Sequence, residues 1–403
     1  MQKCIYLDNN ATTKVDDAVV EAMLPYLTEF YGNPSSMHTF GGQVGRAIND
    51  ARSQVAALLG ADNSEIIFTS CGTEGDNAAI RAALLAHPEK RHIVTTQVEH
   101  AAVLNLCKLM EKQGYTVTYL SVNRQGQIDL DELEASLTGN TALVSIMYAN
   151  NETGVVFPIE QIGQIVKERG ITYHVDAVQA VGKIPLNMKT STIDMLTLSG
   201  HKLHAPKGVG ALYVRKGVRF RPLLIGGHQE RGRRGGTENV ASIVGLGKAA
   251  ELELLHMPEA TKREKQQRDR LEKNLLATIP DCEVNGHPTQ RLPNTTNIGF
   301  KYIEGEAILL SLNHYGICAS SGSACTSGSL EPSHVLRAMG LPYTILHGSI
   351  RFSLCRYTTD NEIDEVLAVM PGIVERLRAM SPFSSDTEGW LQEQEQALLG
   401  SRN

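Results

Sequence analysis

Thr172-Tyr173-His174-Val175-Asp176-Ala177-Val178-Gln179 and Met195-Leu196-Thr197-Leu198-Ser199-Gly200-His201-Lys202 are two short, β-rich runs, and each ends in polar residues. The same pattern stands upstream. Glu65-Ile66-Ile67-Phe68-Thr69 leads into Cys71-Gly72-Thr73-Glu74, and His92-Ile93-Val94-Thr95-Thr96 into Val98-Glu99-His100. Ala142-Leu143-Val144-Ser145-Ile146 leads into Asn150-Asn151-Glu152-Thr153-Gly154. Helical patterns separate these runs from about residue 46 onward. Strands alternating with helices spell βαβ units around a largely parallel sheet, which binds its ligands outside the carboxyl ends of the strands. The polar residues after each run are therefore the candidates for chemistry.

A chain of 403 residues exceeds one ordinary domain; at roughly 150 residues per domain it holds two or three. The charged, Gly-free stretch from Thr261 to Leu276 reads as a long solvated helix crossing from a large domain to a smaller α+β domain. The expected boundaries are an N-terminal segment 1–14 packing on the small domain, a large domain 15–260, a small domain 261–380 and a tail 381–403 around Trp390, the only tryptophan. Hydrophobic residues at 42% and charged residues at 20% give a globular balance. A net charge of -6 lacks the basic face that nucleic acid demands. No apolar run approaches the roughly 18 to 20 residues that span a bilayer, and the N-terminus does not read as a secretory signal. Seven cysteines without a C-x-x-C pair suit a reducing compartment. The expectation is a cytoplasmic protein with small-molecule and protein partners, and with neither nucleic acid nor membrane among them.

Gly72-Thr73 should open a helix whose unpaired N–H groups and dipole suit a phosphate. An acid at one strand end, Asp176, a lysine at the next, Lys202, and an aromatic ring, His100, are the parts that pyridoxal phosphate requires. They supply a Schiff-base amine, a carboxylate for the pyridinium nitrogen and a flat stacking partner. Each is ordinary alone: His100 is one of 13 histidines, Asp176 suits a turn and Lys202 a solvated surface. Their arrangement at successive strand ends carries the inference. Two other patterns are weaker. Gly245-Leu246-Gly247-Lys248-Ala249-Ala250 fits a loose dinucleotide pattern but falls inside an expected helix, and a metal at His201, His204 and His228 is outweighed by Lys202 in their midst.

The chain resembles the class I cysteine desulfurases of the NifS and IscS type, within the fold-type I pyridoxal-phosphate transferases. The resemblance runs from Tyr6-Leu7-Asp8-Asn9-Asn10-Ala11-Thr12-Thr13 through Ser199-Gly200-His201-Lys202 to Ser320-Ser321-Gly322-Ser323-Ala324-Cys325 and Arg351-Phe352-Ser353-Leu354. Asn9-Asn10 and Gly235-Gly236-Thr237-Glu238-Asn239 look closer to NifS, which serves nitrogenase. The resemblance implies that Lys202 forms the Schiff base and shuttles the Cα proton. It implies that Asp176 keeps the ring nitrogen protonated, that Gln179 bonds the phenolic oxygen, and that His100 stacks on the ring and acts as an acid/base. Gly72, Thr73, Ser199 and His201 are implied to hold the phosphate, with Thr237 reaching it from the second subunit of a homodimer. For the substrate, Asn9, Asn33 and Asn151 are implied contacts, and Arg351 grips the carboxylate of L-cysteine through a bidentate pair.

Residues Ser320 to Ser329 are almost all small, a composition that favours a mobile surface loop carrying Cys325. By resemblance, Cys325 takes the substrate sulfur as a persulfide and passes it to an iron-sulfur scaffold of NifU or IscU type, sharing a nascent [2Fe-2S] cluster as a transient ligand. Cys71, Cys107, Cys282, Cys318 and Cys355 read as structural, and Cys4 stays open. The role is nitrogenase maturation, or else general iron-sulfur or thionucleoside supply. A fold-type I aminotransferase would use the same lysine, aspartate and arginine without Cys325, and a non-catalytic sulfur carrier would need neither Lys202 nor Asp176.

Overall fold

The computed structural model describes residues 4–321 and 332–383. Its large sheet is built from β2 (Ile66–Thr69), β3 (His92–Thr96), β4 (Thr116–Leu120), β5 (Thr141–Ser145), β6 (Thr172–Asp176), β7 (Met195–Ser199) and β8 (Gly210–Val214), in the order β2-β8-β7-β6-β5-β3-β4. All pairings are parallel except those of β8, which runs antiparallel to both β2 and β7. The five runs read from the sequence are all strands of this sheet; β4 and β8 are additional.

β2, β3, β5, β7 and β8 are buried along their whole length, as expected for strands covered on both faces. Alternate side chains serve opposite layers. Ile66 and Phe68 face one hydrophobic core, and Ile67 faces another together with Ile80 and Ala83 of the helix Gly72–Ala86. The first core is closed by the helix Thr39–Leu59 packed on the long helix Val240–Thr278. The two approach so closely that a Cβ on Gly247 would lie 2.5 Å from Ala51 Cα. The glycines of the loose dinucleotide pattern are thus helix-packing residues.

A third core belongs to a smaller layer. Here β9 (Cys282–Val284), β10 (Thr295–Phe300) and β12 (Ser349–Ser353) form an antiparallel sheet in the order β12-β10-β9. Beside it β1 (Ile5–Tyr6) pairs in parallel with β11 (Ile317–Cys318), and Ser353 N–H donates to Leu7 O at 2.8 Å. Ile5 and Leu7 are buried among Phe300, Phe352 and Ile363. The helix Val240–Thr278 joins the layers: Ile243, Leu246 and Ala250 enter the first core, Leu271 and Leu275 the third. The expected boundary at 260/261 falls inside it. Among the described residues no helix is long and apolar enough to cross a membrane.

Candidate active site

The carboxyl ends of β6 and β7, the turn after β3 and the N-terminal segment meet at a cavity of about 280 Å³ between the large sheet and the small layer. Lys202 lies in the short helical turn Gly200–Lys202 that directly follows β7, and its Nζ donates to the carbonyls of Asn10 and Ala11, the latter at 2.7 Å. Asp176 closes β6, and its carboxylate accepts the Val178 N–H at 3.0 Å. Burial raises its pKa, while that N–H and the charges of His100 and Lys202 oppose the rise. His100 caps the helix Ala101–Lys112, accepting the Ala102 N–H on Nδ1 at 3.1 Å. A neutral His100 ring therefore carries its proton on Nε2.

One end of the cavity suits an anion. The helix Gly72–Ala86 starts without any side-chain cap, so its first N–H groups are left for a ligand. Ser199 Oγ is buried beside it without a hydrogen-bond partner. A Cβ on Gly72 would lie 2.8 Å from Val178 Cγ2, so the glycine is required for the close approach. Thr73 and His201 also line this wall, and burial, then Lys202 and Lys207, lower the His201 pKa to about 4, leaving it neutral at pH 7. An uncapped helix start, an orphaned hydroxyl and a nearby amine fit a phosphorylated aldehyde.

The opposite wall carries Arg351 of β12, which is 3% exposed. Its guanidinium donates to Asp8 Oδ1 at 2.7 Å and to the Asn151 carbonyl at 2.9 Å. That carbonyl also accepts Asn10 Nδ2 at 3.1 Å. Gln179 donates to the Asn10 carbonyl at 3.0 Å, while its Oε1 is buried with no partner.

Not every expected residue converges here. Asn9 is outside the cavity lining, its amide donating to the Tyr6 and Ser353 carbonyls, and Asn10 takes the place beside Lys202. Asn33 is exposed and accepts the Ser35 N–H in a turn, and Thr237 is exposed and off the cavity wall. Cys325 lies outside the described residues. Among the described residues no group of three or more His, Cys, Asp or Glu could hold a metal.

Four acidic groups were given no role by the sequence reading. Asp8 pairs with Arg351. Asp76, a turn after Gly72, lines the cavity at 1% exposure, and burial followed by the charge of Asp176 raises its pKa. Its nearest basic group, His174 Nε2 at 3.6 Å, is held neutral by burial with a pKa of about 3. Glu99 accepts from Thr96 Oγ1 at 2.8 Å and from Met147 N–H at 3.1 Å, and burial lifts it to about 8. Glu152 accepts the Ser333 hydroxyl, and burial lifts it to about 7. Helical spacing from Gly72 was the available signal for Asp76; Glu99 and Glu152 stood inside the strand-end clusters.

Residues 5–366 match the family of class-V aminotransferases. A cysteine desulfurase of Trichormus azollae is 82% identical over 98% of each chain, and cysteine desulfurase NifS of Azotobacter vinelandii is 60% identical over 94% of this chain and 95% of its own. The solved structure of a NifS-like protein superimposes with a TM-score of 0.88 at 41% identity, covering 93% of this chain and all of that one. With this agreement across nearly the whole length, the chain belongs to the class-V aminotransferase family and, within it, to the pyridoxal-phosphate-dependent cysteine desulfurases.

Proposed function

We propose that the chain converts L-cysteine to L-alanine at this cavity and stores the sulfur as a persulfide on Cys325. The observation that carries the reading is the meeting of the Lys202 amine, the Asp176 carboxyl, the His100 ring and the Arg351 guanidinium around one cavity. Pyridoxal phosphate, when bound, withdraws electrons from the substrate Cα. Lys202 would anchor the cofactor and take the substrate Cα proton on Nζ; the Asn10 and Ala11 carbonyls aim that amine. Asp176 would serve the ring nitrogen and Gln179 the phenolic oxygen, while His100 would pack against the ring and exchange a proton through Nε2 with the substrate sulfur. The N–H groups at Gly72 and Thr73, with Ser199 and His201, would hold the phosphate. Asn151 and Arg351 orient the substrate, Arg351 gripping its carboxylate.

The neighbouring subunit of a homodimer completes the site with Thr237, whose exposure leaves it available to a second copy. The sulfur goes to an iron-sulfur scaffold protein in the cytoplasm for nitrogenase maturation, a reading supported by the relative at 60% identity that bears the name NifS. The test compares wild type with Cys325→Ser in L-cysteine and a reductant, without a keto acid. Alanine, sulfide and protein-bound sulfane sulfur should all form in the wild type and vanish in the variant, with cofactor content unchanged. Persulfide at the wild-type level in Cys325→Ser would assign the nucleophile elsewhere. Release of labelled sulfur to a NifU-type scaffold, and not to serum albumin, tests the acceptor.

A further inference from the structure

Cys4 and Cys318 bring their sulfurs to 3.8 Å, although 314 positions separate them in sequence. Cys318 ends β11 and Cys4 directly precedes β1, its parallel neighbour, where Ile5 N–H donates to Gly316 O and Leu7 N–H to Cys318 O, each at 2.8 Å. Tyr6 is in register with Cys318, so Cys4, two residues from Tyr6, projects on the same face. Cys4 is exposed and Cys318 half-buried, and burial followed by the Cys4 thiol raises the Cys318 pKa. By contrast Cys107 is fully buried, its thiol pushed up to about 12.

The strands carrying this pair flank the proposed substrate anchor. Two residues beyond Cys318, Ser320 exchanges backbone hydrogen bonds with Arg351 at 3.2 and 2.6 Å; four residues beyond Cys4, Asp8 meets the Arg351 guanidinium. A dithiol beside a site that generates zero-valent sulfur has the two electrons needed to reduce that sulfur.

We infer that Cys4 and Cys318 form a second sulfur-handling site, which reduces the sulfane sulfur of persulfides and polysulfides to sulfide. The exposed Cys4 thiolate attacks the outer sulfur of the donor, whose S–S bond breaks and releases the donor thiol. Cys318 then attacks the Cys4 sulfur, closing a disulfide and expelling hydrosulfide. One sulfane sulfur gains two electrons, two thiols lose them, and the two thiol protons leave with the donor thiol and the sulfide. Closure brings the sulfurs to about 2.05 Å. Cys4 precedes the first ladder bond of its strand, so a change in its rotamer and strand end can cover that distance. The inference rests on the proposed function only for the source of the sulfane sulfur during turnover.

The test uses full-length Cys325→Ser protein with cofactor, anaerobically, with inorganic polysulfide as the donor and no cysteine. Its outcome is thus independent of the role assigned to Cys325. Stoichiometric sulfide and a proteolytic peptide joining Cys4 to Cys318 are expected. Adding Cys4→Ser, an exposed change that leaves the fold in place, should remove both, and Cys318→Ser should do the same. Recovery of Cys4 and Cys318 as free thiols after polysulfide, or equal sulfide from the Cys4→Ser protein, would overturn the inference. A joined peptide formed by peroxide but not by polysulfide would also overturn it, because the pair would then be a general thiol couple.

Discussion

The carboxylate of Asp8 meets the guanidinium of Arg351 at 2.7 Å across 343 positions of the chain. Arg351 is nearly sealed from solvent while the Asp8 side chain is 19% exposed, so the proposed anchor for the substrate carboxylate already holds one of the chain's own. An incoming carboxylate has to share or displace it. Asp8→Asn should lower the KM for cysteine roughly fivefold, as for a contact worth about 1 kcal/mol, with kcat little changed. The same variant should melt at a lower temperature, because a buried guanidinium loses its counter-charge. Steady-state kinetics with a thermal melt checks both; a raised KM would make Asp8 a positioning residue for Arg351.

Lys202→Ala should abolish sulfide formation while leaving secondary structure intact, since the turn Gly200–Lys202 is held by backbone contacts such as Leu203 N–H to Gly200 O at 2.8 Å. The independent readout is covalent. Borohydride should fix the cofactor's mass to the peptide containing Lys202 in the wild type and to no peptide in the variant.

Ser199 offers a test with opposite signs in two states. Its buried hydroxyl has no partner in the protein alone, so Ser199→Ala should stabilise the cofactor-free chain by about 1 kcal/mol. It should also weaken pyridoxal phosphate by about tenfold, the value of a lost bond to a charged group. Urea unfolding of cofactor-free protein and equilibrium dialysis separate the two effects.

The buried acids set the pH dependence of stability. Glu99 holds its proton to about pH 8 in the folded chain, against an ordinary value of 4.5. Below 4.5 both folded and unfolded chains are protonated; between the two values only the folded chain is, so stability falls as pH rises and levels off above about 8. One such group gives a slope of about 1.4 kcal/mol per pH unit. Glu152, lifted to about 7, adds to the fall over a narrower window. Glu99→Gln, neutral throughout, should flatten the slope, and urea midpoints near pH 5 and pH 8 measure it. Parallel slopes in variant and wild type would mean that Glu99 is ionised in the fold.

Strand ends were legible because β6 and β7 are apolar runs that stop abruptly at Asp176 and Ser199. β4 was not: it pairs only with β3, at the sheet edge, and its residues from Thr116 to Tyr119 are exposed or half-buried, so no apolar run marks it. For β8 the run is plain, but nothing local encodes its antiparallel direction. Asn9 and Asn10 differ by a single peptide, and only the bonds from Ser353 to this segment decide that Asn10 faces Lys202. Asp8 could not be read because its partner lies 343 positions away in the sequence. Cys325 was singled out by its setting among small residues and by resemblance, and it lies outside the described residues.

The helix Val240–Thr278 is 39 residues long, about 58 Å at 1.5 Å per residue. Because it feeds both the large and the small hydrophobic cores, the two layers are beads fixed to a common axle rather than bodies joined by a string. Loosening one core strips side chains from a helix the other also needs, so calorimetry should record one cooperative transition where two tethered units would give two. The axle carries this coupling beside direct contacts such as Asn297 Nδ2 to the Glu152 carbonyl, and Pro258 withholds one N–H from its helical ladder.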